Sequence, residues 1–206
     1  MADAVTGLPG RGNTFLTGPN RTAPTTYGNS VLLEGTKKNF KDVTPGTVGM
    51  HTLRSGLEVQ CILVRNTSTI ALLPKRVVKF AAGYRNQRVD AYCRLDSESV
   101  AGVVDEYLPA TGVPVNDLFW LVVKGPCLVK TSLGGDVTNF IAEGDPLVAL
   151  TAATTGATTA GRIQPFAITS NATFAASGAM NLLGRAMSAR ATTQTNADVL
   201  CDLRIA

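Results

Sequence analysis

The sequence predicts an all-β fold, a compact β-barrel or β-sandwich behind an extended N-terminal arm. Three observations carry this. Short apolar runs of strand length recur between turn residues from about residue 50 onward. No apolar stripe at helical spacing persists for three turns. The first ~45 residues are instead broken by Gly7, Pro9, Gly10, Gly12, Gly18, Pro19, Pro24, Gly28, Pro45 and Gly46. The division is therefore residues 1–49 as an arm and 50–206 as a β-domain.

In the arm, Phe15, Leu16 and Tyr27 are isolated apolar anchors, and Val31 to Leu33 reads as one short strand. Such a segment lacks the apolar content to fold alone and is expected to gain order on a neighbour. Leu57 to Val64 opens the β-domain. It alternates at first and then becomes continuously apolar, as a strand buried on both faces does. Ile70 to Leu73 and Arg76 to Phe80 flank Pro74, which marks an edge or bend because it cannot donate to a ladder. Arg88 to Arg94 and Ser99 to Val104 follow as short strands.

Leu118 to Lys124 is the strongest strand and holds the only tryptophan, Trp120. Gly125-Pro126 reads as a turn and Cys127 to Thr131 as the return strand. Glu143-Gly-Asp-Pro146 is a further turn signal, with an Asp able to bond nearby backbone. Thr151 to Ala160 is polar and low in complexity, a loop between strands. Arg162 to Thr169 and Asn181 to Ala189 are strand candidates. In the last run Val199, Cys201, Leu203 and Ile205 share one face.

Charge is unevenly spread. Residues 51–94 carry eight basic and two acidic side chains, whereas residues 95–206 carry six and ten. Lys75 to Arg94, with Arg76, Lys79 and Arg85 as candidate contacts, is expected at or near an acidic protein surface. Nucleic acid is disfavoured, because aromatic side chains are not interleaved as stacking platforms. Arg11, Phe15, Arg21 and Tyr27 are the candidate contacts of the arm.

Catalytic chemistry finds no purchase. His51 is the single histidine and no G-x-S-x-G elbow accompanies it, so no catalytic residue is assigned. Cys61, Cys93, Cys127 and Cys201 lack zinc spacing and read as small buried hydrophobes, so neither metal nor cofactor is expected. Asp105 and Glu106 are adjacent, point to opposite strand faces, and are expected to form a solvated strand end. Residues 1–7 lack a basic start and an apolar core, so no secretory signal is expected. No apolar run approaches the ~18 residues of a membrane span, so no membrane partner is expected.

Phe140-Ile-Ala-Glu-Gly-Asp-Pro-Leu-Val148 resembles a phrase late in the head decoration (cement) proteins of tailed bacteriophages. Leu183-Gly-Arg-Ala-Met187 and Asp198 to Ile205 are similar to the glycine-led strand and the closing alternating strand that follow it. Val103 to Ala110, through Asn116 to Trp120, is similar to phage structural proteins of this size. The resemblance covers roughly residues 57–206. It implies a non-enzymatic homotrimer, made in the host cytoplasm and carried on the capsid exterior. There it would clamp neighbouring copies of the major capsid protein and gain avidity from several modest contacts. A tail or neck β-module is the alternative, and a small β-barrel enzyme or ligand-binding domain a more distant one.

Overall fold

The computed structural model describes residues 34–45, 51–94, 100–131, 140–150, 160–166, 181–190 and 198–205. Every regular element among them is a strand: β1 (Lys37–Pro45), β2 (His51–Asn66), β3 (Val77–Phe80), β4 (Arg88–Tyr92) and β5 (Val100–Val104). After these come β6 (Leu118–Lys130), β7 (Pro146–Ala149), β8 (Ile163–Pro165), β9 (Leu182–Ala186) and β10 (Asp198–Arg204). The fold is all-β, as the sequence predicts.

The sheet runs β1-β2-β4-β3-β5-β6-β10-β9-β7-β8, and β2 also pairs with β6. That pairing closes a circuit from β2 through β4, β3, β5 and β6 back to β2, so this part is a small barrel. All of its pairings are antiparallel except β2 with β4. A second circuit leaves β6 through β10, β9, β7 and β8, and a parallel bridge from Ile163 to Thr131 returns it to β6. Closure leaves fewer open edges than a flat sheet of the same strands.

β6 serves both circuits because its two faces look into different cores. Phe119, Leu121 and Val123 pack with Ile62, Val64 and Val78 inside the first. Val122, Cys127 and Val129 pack with Leu147, Ile163 and Leu203 in the second. An even position and then odd ones face the same core, so the alternation slips between them. The register against β2 shifts at Gln60/Cys61, and Gly125 takes φ 92°. Gly125-Pro126 is therefore not the turn the sequence suggests. The chain passes straight through it, with Leu203 opposite Gly125 and Asp202 opposite Pro126.

β2 matches its sequence signal, since Val59 and Cys61 to Val64 are all buried. β10 also alternates as expected, with Val199, Cys201 and Leu203 inside. Ile70 to Leu73 does not form a strand; only Leu72 makes a bridge, to Val113. The reason lies in Asn66, whose buried amide donates to the carbonyls of Ile70, Val113 and Pro114 and accepts from Ser68. These bonds hold the segment as a loop. Glu143 to Pro146 does turn, with Gly144 at φ 89° and the Asp145 carboxylate accepting from the Ala142 amide at 2.8 Å.

β1 lies inside the segment that composition sets apart as an arm, yet it pairs with β2 along its length. Its sole apolar side chain among Lys37 to Asp42 is Phe40, buried edge-on to Trp120 with centroids 5.7 Å apart. Val31 to Leu33, Thr151 to Thr159 and the arm contacts Arg11, Phe15, Arg21 and Tyr27 lie outside the described residues.

Candidate interaction surface

Most of the basic side chains of Lys75 to Arg94 have partners within the chain. Lys75 and Lys130 both pair with Asp198 on β10. Arg76 is buried and donates to the Ala160 carbonyl at 2.9 Å. Lys79 stands 3.9 Å from Asp90, and Arg88 lies 4.1 Å over the Tyr84 ring while also reaching Glu34. Arg85 alone of the three contacts expected here is exposed, in the β3–β4 loop beside exposed Tyr84.

The carboxylates of Asp105 and Glu106 correct the expectation of a solvated strand end. Asp105 is fully buried. Glu106 joins Asp42 around Arg54, whose guanidinium forms two hydrogen bonds to each carboxylate. Ser55 donates to Asp42 at 2.7 Å. Burial opposes charge on Arg54, but the bonds to Glu106 and Asp42 outweigh it and raise its pKa. The sequence shows three separated charges; only the pairing of β1 with β2 and the approach of the β5–β6 loop bring them together.

Arg162 is buried near the buried Arg76 and Arg190. Burial is the main cause lowering the Arg162 pKa; Arg76 and Arg190 lower it further and Asp198 opposes. Arg162 also donates to the Thr131 carbonyl at 3.1 Å, across the bridge that closes the second circuit. Arg162 thereby ties the start of β8 to the end of β6.

Further uncommitted positive charge lies on β1 and β6. Lys37, Lys38, Lys41 and Lys124 are exposed and make no ion pair among the described residues. Lys37 and Lys124 flank one mouth of the first barrel, where a cleft of about 180 Å³ opens. Ile62, Phe80, Ala101, Val123 and Ile205 form its apolar walls, and Gln60 and Asn86 complete the rim. The cleft exists because β4 meets β2 only at Arg65 and Asn66, leaving the earlier part of β2 without β4 beside it. Ile205 is held there by its amide, which donates to the Val123 carbonyl at 3.0 Å. None of these lysines was singled out by sequence reasoning, because their freedom from acidic partners depends on strand pairing.

The four cysteines are buried and none forms a disulfide. Burial pushes the Cys201 thiol well above its ordinary range, and neighbouring Cys127 adds to this. Among the described residues no three His, Cys, Asp or Glu side chains gather as metal ligands, and no helix is long and apolar enough to cross a membrane.

No family model matches the chain, and no curated protein matches it. A chain from the capsid of Myoviridae phage XM1 is similar at 17% identity and a TM-score of 0.38, over 80% of this chain and 91% of that one.

Proposed function

We propose that this chain is a non-enzymatic structural protein of a tailed-phage virion, bound as a trimer to the capsid exterior, where it bridges copies of the major capsid protein. The observation that carries the reading is the use made of charge. The buried and half-buried ion pairs Arg54–Asp42, Arg54–Glu106, Arg65–Glu34 and Lys75–Asp198 each tie separate segments of the barrel to one another. Such ties suit a scaffold under mechanical load better than a site for turnover. The phrases that resemble decoration proteins fall on structural seams. Phe140 to Val148 leads into β7, Leu183 to Ala186 lies in β9, and Asp198 to Arg204 is β10.

In this reading the N-terminal arm attaches to a neighbouring subunit through Phe15, Tyr27, Arg11 and Arg21. A trimer holding three modest contacts then dissociates far more slowly than one contact would allow.

The test adds purified chain to empty heads lacking it, followed by sedimentation and cryo-electron microscopy. Saturable density on the outer surface at three-fold positions is expected, with a trimer mass by light scattering. Deleting residues 1–30 is expected to weaken attachment while the β-domain stays folded. Density at the neck or tail, with bare heads, would replace this reading with that of a tail or neck module.

A further inference from the structure

We propose that the cleft at the mouth of the first barrel is a docking pocket for an acidic protein segment with one apolar side chain at its centre. This deepens the reading above by naming the chemistry of the partner, and it rests on that reading's choice of protein over nucleic acid.

Size, lining and charge agree on the occupant. The cleft measures about 180 Å³. A dry cavity of ~150 Å³ accommodates benzene, so one aromatic or large aliphatic side chain is the matching cargo. The walls supplied by Ile62, Phe80, Ala101 and Val123 offer that side chain apolar contact. Burying it there follows the pattern of a central anchor in a pocket with a polar rim.

The rim supplies the sign. Lys37 and Lys124 stand at the cleft and make no ion pair among the described residues. Lys41 extends the positive face along β1 on the same side as Lys37, two residues per repeat. The one carboxylate opposite Lys41 in register is Glu58, which accepts a hydrogen bond from Asn39 instead. Carboxylates placed before and after the apolar anchor therefore meet uncommitted ammonium groups. A nucleic acid would use the same lysines but would gain little from a recess whose walls are largely aliphatic, since its bases prefer flat aromatic platforms.

The probe is an acetylated pentapeptide with phenylalanine between two pairs of aspartates, titrated into the isotopically labelled full chain and followed by amide chemical shifts. Shifts are expected to concentrate at Lys37, Gln60, Phe80, Ala101 and Lys124. The same peptide with alanine at its centre is expected to bind at least tenfold more weakly. The double variant Lys37→Glu/Lys124→Glu, altered only at exposed positions, is expected to weaken the phenylalanine peptide tenfold or more, and 0.5 M salt to do the same. The pocket assignment is overturned if the shifts fall elsewhere, if the central side chain makes no difference, or if charge reversal leaves affinity unchanged. Tighter binding of a single-stranded oligonucleotide at the same amides overturns it in favour of nucleic acid. A chain that binds the peptide as stated yet ignores empty heads would refute the capsid reading and leave the pocket standing.

Discussion

Gly125 presses its Cα against the backbone carbonyl of Glu58, so closely that a Cβ at this position would sit 2.2 Å from that oxygen. The contact occurs where β6 leaves one core and enters the other. Gly125 has φ 92°, in the left-handed region that side chains resist. Sterics and dihedral preference thus demand glycine independently, at the residue that lets one strand serve two barrels.

Gly125→Ala is expected to destabilise the protein by roughly 3 kcal/mol, because backbone strain and the clash act together. Urea unfolding followed by Trp120 fluorescence measures it. A change under about 0.5 kcal/mol would mean that β2 and β6 can separate without loss. Gly184, whose Cβ would stand 2.0 Å from the Asp202 carbonyl oxygen, is expected to behave alike.

Arg54→Met is expected to cost about 3 kcal/mol or more. The side chains of Asp42 and Glu106 are 0% and 4% exposed, and losing their common guanidinium leaves two buried carboxylates facing one another. Arg54→Lys is expected to recover only part of the loss, since an ammonium cannot make two parallel bonds to each carboxylate. Urea denaturation midpoints of the two variants, each against the parent chain, check both expectations.

Asn66→Ala is expected to destabilise by roughly 2 kcal/mol, because three loop carbonyls lose their common donor inside the protein. Faster amide exchange at Leu72 and Val113, which bond to each other across the bridge, would accompany it.

Cys201 gives a pH dependence of definite sign. Its folded-state pKa is raised, chiefly by burial, so the folded chain holds the thiol proton while the unfolded chain releases it from about pH 8.5 upward. The unfolded state then binds fewer protons, and stability falls with rising pH, by at most about 1.4 kcal/mol per pH unit for one thiol. The contribution is fully present below the unfolded value and is lost as pH climbs toward the folded one. Urea midpoints from pH 7.5 to 9.5 measure the slope, which Cys201→Ala is expected to reduce. The native protein is also expected to react slowly with thiol reagents, and its four cysteines to react at once in denaturant.

The all-β class and most strand positions are legible in local residue patterns. Strands whose side chains are sorted by burial announce themselves, as in the alternation of Val199, Cys201 and Leu203 and the unbroken run from Cys61 to Val64. The turn at Glu143 to Pro146 was legible because one Gly and one Asp make it locally. Whatever depends on a partner far along the chain emerges from long-range packing instead. Among the described side chains of β1, Phe40 is the one buried apolar anchor, so pairing with β2 supplies the order that its composition does not. Gly125-Pro126 has turn chemistry but becomes a slip in a continuous strand, because β2 and β10 flank it on both sides. Charge followed the same rule. Lys75, Arg76 and Arg88 form a basic run in sequence but are held by Asp198, the Ala160 carbonyl and Glu34. Two of the lysines left uncommitted, Lys37 and Lys124, lie 87 positions apart in sequence and meet at one cleft because β1 and β6 flank β2 from opposite sides. Strand identity is written in local burial, whereas a surface of unpaired charge remains only after every long-range pairing has been made.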